Sequence, residues 1–290
     1  MNPTHNSLAS ETKRHSGQER RVRQPAPTTR HEAWLLCAAL AAVLGGTACK
    51  REQKELAPEA SALPSAAPVT AAAQTYVVDR QSSQVSFQMD AELEKINGRA
   101  PGSIEGELFI DPNDLTKTTG LIKVDLLALS IYHTKRESAD TQFGEEKKDE
   151  TQNEHMQTWF QISKDAPLEV REANRFAEFK IKTVQAVSEL NLTKLTGAER
   201  QVTAEVLGDF RLHGRVTEQK LAVAATFQFS GDTPTGLTLK TTAPFGVSLE
   251  AHDVRPRKAF DKLADATLET LGQKVSKVAL VSFELSAKPR

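Results

Sequence analysis

From Leu221 to Phe229 the chain alternates without a break. Leu221, Val223, Ala225, Phe227 and Phe229 place five apolar side chains on one face, with Ala222, Ala224, Thr226 and Gln228 opposite. Side chains of an extended strand point to alternate sides, so such a segment has to lay one face against an apolar interior. Val85, Phe87 and Met89, separated by Ser86 and Gln88, repeat the pattern. Further strand-like runs are Glu105–Ile110, Leu121–Ser130, Ala177–Val187, Val202–Leu212, Leu237–Thr242, Phe245–Leu249 and Ala279–Ser286. Turn residues punctuate them at Asp111-Pro112-Asn113, His213-Gly214 and Gly231-Asp232-Thr233-Pro234. Eight or more short strands imply a sandwich or a barrel, and closure into a barrel removes exposed edges. The expected fold is therefore all-β, an antiparallel barrel of about eight strands.

Two segments depart from this period. In Arg136–Ile162 the middle, Gly144–Asn153, holds no apolar residue and reads as a solvated loop or exposed helix face. Thr151 and Glu154 then have capping-box spacing, and His155, Met156, Trp159 and Phe160 share one helical face. The second runs from Pro256 to Gly272, with Phe260, Leu263, Ala264, Leu268 and Leu271 at helical spacing, a proline for the first turn and a glycine for the C-terminal cap. One or two helices thus pack beside or over the barrel. Alternation alone leaves open whether the barrel is filled by side chains or hollow.

The first 74 residues read as an address and a tether. Arginines at 20, 21, 23 and 30 precede Ala33–Ala48, a run of apolar or small residues that ends at Cys49. It is short for a bilayer crossing and suits the core of a signal peptide. Gly46-Thr47-Ala48 before Cys49 resembles the lipobox of bacterial lipoproteins, in which cleavage precedes a cysteine that carries a diacylglycerol. Ordinary secretion and a short uncleaved anchor are the alternatives. Residues 50–74 are rich in Ala, Pro, Ser and Glu and lack aromatics, so a flexible tether is expected before a body spanning 75–290. Lys50 after Cys49 favours the outer membrane over retention at the inner one.

Composition narrows the function. The chain has 37 Lys+Arg against 38 Asp+Glu, a balance that argues against nucleic acid as a partner. Its only cysteines, Cys37 and Cys49, precede the body, which leaves no thiol nucleophile and no disulfide there. No glycine-rich phosphate loop, G-x-S-x-G elbow or H-E-x-x-H helix occurs. The body's histidines, His133, His155, His213 and His252, are scattered. A turn-stabilising role suits His213, and a local Asp253–Arg255 pair is more economical than a His252–Asp253 catalytic dyad. Neither a cofactor nor a metal is expected, and nothing argues for an enzyme.

Several segments together resemble the YceI-like family of periplasmic polyisoprenoid-binding proteins. Tyr76-Val77-Val78-Asp79, then Ser82 to Phe87, resembles its opening pattern. Gly106–Asp111 and Gly120–Val124 resemble the next strands, and Asn153–Phe160 resembles the family's helix with a paired aromatic. Gly208-Asp209-Phe210-Arg211-Leu212-His213-Gly214-Arg215-Val216-Thr217 resembles its G-x-L-x-x-H-G-x-T region with one residue inserted. Phe245-Gly246-Val247 and Val275–Leu285 resemble its last strands. The resemblance implies an extended lipocalin-like barrel of eight antiparallel strands, whose apolar tunnel binds a polyisoprenoid, an isoprenoid quinone or another long-chain amphiphile. The residues expected to face that ligand are Val85, Phe87, Met89, Leu108, Ile110, Val124, Leu126, Phe179, Ile181, Leu221, Val223, Phe227 and Phe229, with Trp159 and Phe160 lining or lidding the tunnel. Membrane attachment would run through an acyl chain on Cys49, and a homodimer is compatible with the sequence. The alternatives are an envelope interaction module without a ligand and, more remotely, a lipid isomerase or hydrolase.

Overall fold

The alternating segments pair into a single sheet that closes on itself. The structure is a computed structural model that describes residues 59–257 and 276–290. In chain order its strands are β1 (Gln74–Val78), β2 (Gln84–Asp90), β3 (Glu94–Pro101), β4 (Ile104–Ile110), β5 (Thr119–Asp125), β6 (Ser130–Lys135) and β7 (Lys147–Lys148). They continue with β8 (Phe176–Gln185), β9 (Glu199–Leu212), β10 (Arg215–Ser230), β11 (Thr233–Thr241), β12 (Phe245–Ser248) and β13 (Val278–Pro289). Among the described residues the α-helices are α1 (Glu150–Trp159) and α2 (Leu168–Asn174). None of these helices is long and apolar enough to cross a membrane.

The ring runs β1-β4-β5-β8-β9-β10-β11-β13, and β13 pairs back to β1. Every neighbouring pair is antiparallel, so the expected eight-stranded barrel is the fold. The last strand, β13, does two jobs along its length. Its C-terminal half pairs with β11 and β1, closing the ring. Its N-terminal half pairs instead with β12 and β2, and β2 leads on through β3 to β6. One end of the barrel is therefore a plain ring, and the other is walled by added strands and by α1.

The β9–β10 hairpin turns on His213 and Gly214, both at positive φ (50° and 69°). This is the twist that matches a two-residue connection between right-twisted strands. His213 is the non-glycine member of the pair and is held by its ring, as described below.

Two local expectations are corrected, and one strand was not anticipated. The run Leu121–Ser130 is not one strand: Asp125 caps a short 3-10 turn at Leu126–Ala128, accepting from the Leu127 N–H, and Arg175 clamps its carboxylate at 2.7 Å. Helix α1 is capped by Asp149 rather than Thr151; the Asp149 carboxylate accepts from the Gln152 N–H, and Thr151 lies inside the helix. Strand β3 gives little alternation to read, because its inward positions are Ile96, Gly98 and Ala100. Two of those are too small to register as hydrophobic, and the Phe87 ring fills the space above Gly98, where a Cβ would overlap it.

The signal segment with Cys49, the tether as far as residue 58, and residues 258–275, which include all but the first two residues of the expected Pro256–Gly272 helix, lie outside the described residues. The remainder of the tether, from Glu59, lies along the outer face of the barrel. The Ala60 N–H donates to the Gly214 carbonyl (2.6 Å), and the Leu63 N–H donates to the buried Glu178 carboxylate (2.6 Å). Farther along, Thr70 donates to Asp111 (2.7 Å) and Thr119 donates to the Ala67 carbonyl (2.6 Å). Beneath this arm Arg211, itself buried, donates to the Ala60 and Ala173 carbonyls and sits beside Glu178. A buried Arg–Glu pair needs such partners, because charges taken out of water are costly unless their hydrogen bonds are met.

Candidate functional site

The inside of the barrel is not uniform. At the plain-ring end the inward side chains meet and fill the space. Tyr76 and Phe227 pack edge to face with ring centres 6.1 Å apart, surrounded by Ile110, Val202, Ala225 and Leu237. Toward the other end the inward side chains stop short of one another and leave a cavity of about 210 Å³. Its wall is formed by inward positions of the ring strands, by β2, β3, β6 and β12, and by α1. The polar residues in the lining are Ser86, Gln152 and Glu178, and the Glu178 carboxylate is already engaged by Leu63 and Lys123. Apolar walls of this kind favour apolar contents: an apolar void stays dry, and burying hydrocarbon in it is favourable.

Register explains how so many strands contribute. Along β10 Leu221 and Val223 face the cavity, and along β9 Val206, Phe210 and Leu212 do so. Along β13 the alternate residues Ala279, Val281, Phe283 and Leu285 face it, each two positions from the last. Gly208 lies on β9 opposite Ile181, and a Cβ there would overlap the Phe179 ring. The glycine thus leaves room for that phenylalanine ring at the wall.

Helix α1 packs over the end of the cavity away from the Tyr76–Phe227 pair, contributing Gln152, Met156, Trp159 and Phe160. Met156 and Phe160 are buried, whereas Trp159 is half-buried. The helix is fastened at its start. The Ile131 N–H donates to Asn153 (2.8 Å), the Asp149 N–H donates to the Ile131 carbonyl (3.0 Å), and His133 Nδ1 lies 2.7 Å from the Asp149 carboxylate. Its far end is tied by Arg257, which donates to the Trp159 carbonyl and to Asp253.

Of the residues expected to face a ligand, Val85, Phe87, Met89, Leu108, Val124, Leu126, Phe179, Ile181, Leu221, Val223, Trp159 and Phe160 all border the cavity. Ile110, Phe227 and Phe229 do not: they belong to the packed end. Phe229 lies under the Arg200 guanidinium, 3.7 Å from its ring centre, a cation–π contact that holds it in the packed cluster. Alternation gave the right face of β10 but not the depth at which the hollow ends. Phe210, Phe245, Phe283 and Leu239, which were not among the residues expected to face a ligand, also line the cavity. Each lies in a recognised strand run, and continuing the period-2 count through it would have found them.

The two central histidines are structural. His252 is fully buried; its Nδ1 donates toward the Leu212 and Arg215 carbonyls, and its Nε2 lies 3.1 Å from the Thr217 hydroxyl. The Asp253 carboxylate goes to Arg255 and Arg257, each at 2.8 Å, and so forms no dyad with His252. His213 donates from Nδ1 to the His252 carbonyl (3.1 Å), with Nε2 at 2.9 Å from the Gln161 side chain. Burial holds the pKa of both below the ordinary histidine value, keeping the rings neutral where they brace the hairpin against the 249–254 turn. The His252 ring also packs edge-on against Phe210, a residue of the cavity wall. Among the described residues no group of three or more His, Cys, Asp and Glu side chains could hold a metal ion.

No curated protein matches the chain. Among solved structures it is similar to a polyisoprenoid-binding domain from Saccharophagus degradans implicated in plant cell wall breakdown. That likeness has 13% identity and a TM-score of 0.45, and covers 75% of this chain and 99% of that one. It is also similar to BcnA of Burkholderia cenocepacia, at 13% identity and a TM-score of 0.39, covering 72% of this chain and 98% of that one. The YceI-like domain model matches residues 76–287, from the first strand of the ring to the last, and the chain belongs to the YceI-like family.

Proposed function

We propose that the protein is a lipid carrier of the bacterial envelope, holding the apolar chain of a polyisoprenoid, an isoprenoid quinone or a fatty amphiphile inside the barrel. The observation that carries this reading is the cavity of about 210 Å³ with an almost wholly apolar wall at one end of an otherwise packed barrel. Affinity comes from transfer of hydrocarbon out of water, at roughly 0.8 kcal/mol per buried CH₂, with no bond made or broken. Such a site selects by length and shape more than by chemical identity. The half-buried Gln152 and Trp159 on α1 supply a polar and an amphipathic group where a head group would emerge.

In this reading Cys49 carries the acyl anchor and the body faces the periplasm from the outer membrane. A Cys49→Ser variant is then released from the membrane fraction. The function itself is tested by extracting the purified protein with organic solvent and identifying what is released by mass spectrometry. The expected result is a co-purifying isoprenoid or fatty amphiphile. An empty extract, together with no uptake of added quinone, contradicts the proposal.

A further inference from the structure

We infer that the Tyr76–Phe227 pair is a length stop, and that the chain accepted by the cavity is short, of about three isoprene repeats. This rests on the cavity being a lipid site and adds which lipids fit.

The boundary between hollow and filled falls at matching depth on strands around the ring. On β4 Leu108 borders the cavity and Ile110 does not. On β10 the change comes between Val223 and Ala225, and on β13 between Leu285 and Ala287. Positions on the filled side are linked through the register: Phe227 pairs with Leu237, which pairs with Ala287, and Tyr76 packs against Phe227 across the barrel. One layer of side chains therefore closes the barrel across its width. Tyr76 and Phe227 are its largest members and among the most buried side chains of the protein, each about 2% exposed.

The depth above this floor follows from strand geometry. The inward positions of β13 that border the cavity run from Ala279 to Leu285. Six residue steps at about 3.3 Å each make ~20 Å of strand, or ~15 Å along the axis of a barrel whose strands tilt by about 40°. With bonds of about 1.5 Å, the four-bond repeat of an isoprenoid advances by ~5 Å, so about three repeats reach the floor. By volume the enclosed part is shorter: a cavity of ~150 Å³ is sufficient for benzene, so about 210 Å³ encloses roughly two repeats, and the third lies at the mouth beside α1. Longer chains leave their remainder in water and gain nothing from it.

The test is the affinity of the whole protein, stripped of lipid, for geraniol, farnesol and geranylgeraniol. Wild type should gain at least about tenfold from geraniol to farnesol and change by less than about threefold from farnesol to geranylgeraniol. Phe227→Ala, and Tyr76→Leu as a milder opening of the same floor, should restore the gain at geranylgeraniol. Val223→Phe, which raises the floor, should weaken farnesol while sparing geraniol. Affinity that keeps rising through geranylgeraniol in wild type, or a plateau that neither floor variant moves, overturns the length stop and leaves the lipid site standing. No binding of any of the three alcohols overturns the length stop, and no uptake of added quinone besides overturns the lipid site as well.

Discussion

The two ends of the barrel interior share most of the ring strands and the same residue types, yet one is solid and the other hollow. At the packed end the ring is closed by β1 against β13, and Tyr76, Phe227, Ile110 and Leu237 meet across it. At the hollow end β13 leaves the ring to pair with β12 and β2, so the wall there is carried outward through β3 and β6. Small residues line it as well: Gly98, Ala100, Gly208 and Ala279 stand on or beside the inner face, and the Phe87 and Phe179 rings occupy the space above the two glycines. What makes the cavity is therefore connectivity and side-chain size at a few positions, rather than a different degree of hydrophobicity.

The sharpest way to break that comparison is to remove one ring from each end. Phe227→Ala should cost about 3–5 kcal/mol in urea unfolding, as for a phenylalanine packed on all sides. Phe283→Ala, on the cavity wall, should cost about 2 kcal/mol, because one side of its ring has no packed neighbour to lose. Equal losses would mean that the two ends are equally filled.

Filling the hollow end should do the reverse. Leu221→Trp points a larger ring into the cavity and should weaken binding of an added prenol by at least about tenfold, or ~1.4 kcal/mol, without the stability loss of Phe227→Ala. Isothermal titration and a melting curve on the same sample check both halves.

The ends should also differ in the pH that loosens them. At the hollow end His213 and His252 are held neutral by burial, with pKa values below that of the unfolded chain. In the window beneath about pH 6.5 the unfolded state binds more protons, so this stabilisation is complete above the window and is lost as pH falls through it. The slope is at most about 1.4 kcal/mol per pH unit for each ring. Unfolding midpoints should fall on that side, and less steeply in His213→Asn/His252→Gln. At the packed end burial pushes Tyr76 up to about 12. Its contribution is complete below pH ~10 and is lost as pH rises toward the folded value, so Tyr76→Phe should flatten the alkaline limb.

The smallest expected effect concerns the helix over the cavity. Asp149→Ala removes the α1 N-cap and its contact with His133, and should cost about 1 kcal/mol. Amide exchange in α1 should speed up while that in β10 near Phe227 stays unchanged.

Much of the fold was legible because alternation is a local signal. Leu221 to Phe229, or Ala279 to Ser286, shows its buried face within a single strand, and His213-Gly214 announces the hairpin that joins two of the longest. Strand β3 was hidden because its inward face is Ile96, Gly98 and Ala100, where smallness replaces hydrophobicity. The break at Leu126 was hidden because what ends the strand is Arg175, distant in sequence, gripping Asp125. For the cavity, alternation told inward from outward but not hollow from filled. Val223 and Phe227 are indistinguishable by period, and only the register of the neighbouring strands sets one above the floor and the other within it.

On the proposed reading the hollow end takes up one apolar chain. Calorimetric titration of the lipid-stripped protein with farnesol, repeated at several temperatures, tests it most directly. A hollow end predicts saturable uptake of one molecule per chain with a negative heat-capacity change, suppressed in Leu221→Trp. Absence of saturable uptake, or uptake that Leu221→Trp leaves untouched, would contradict it.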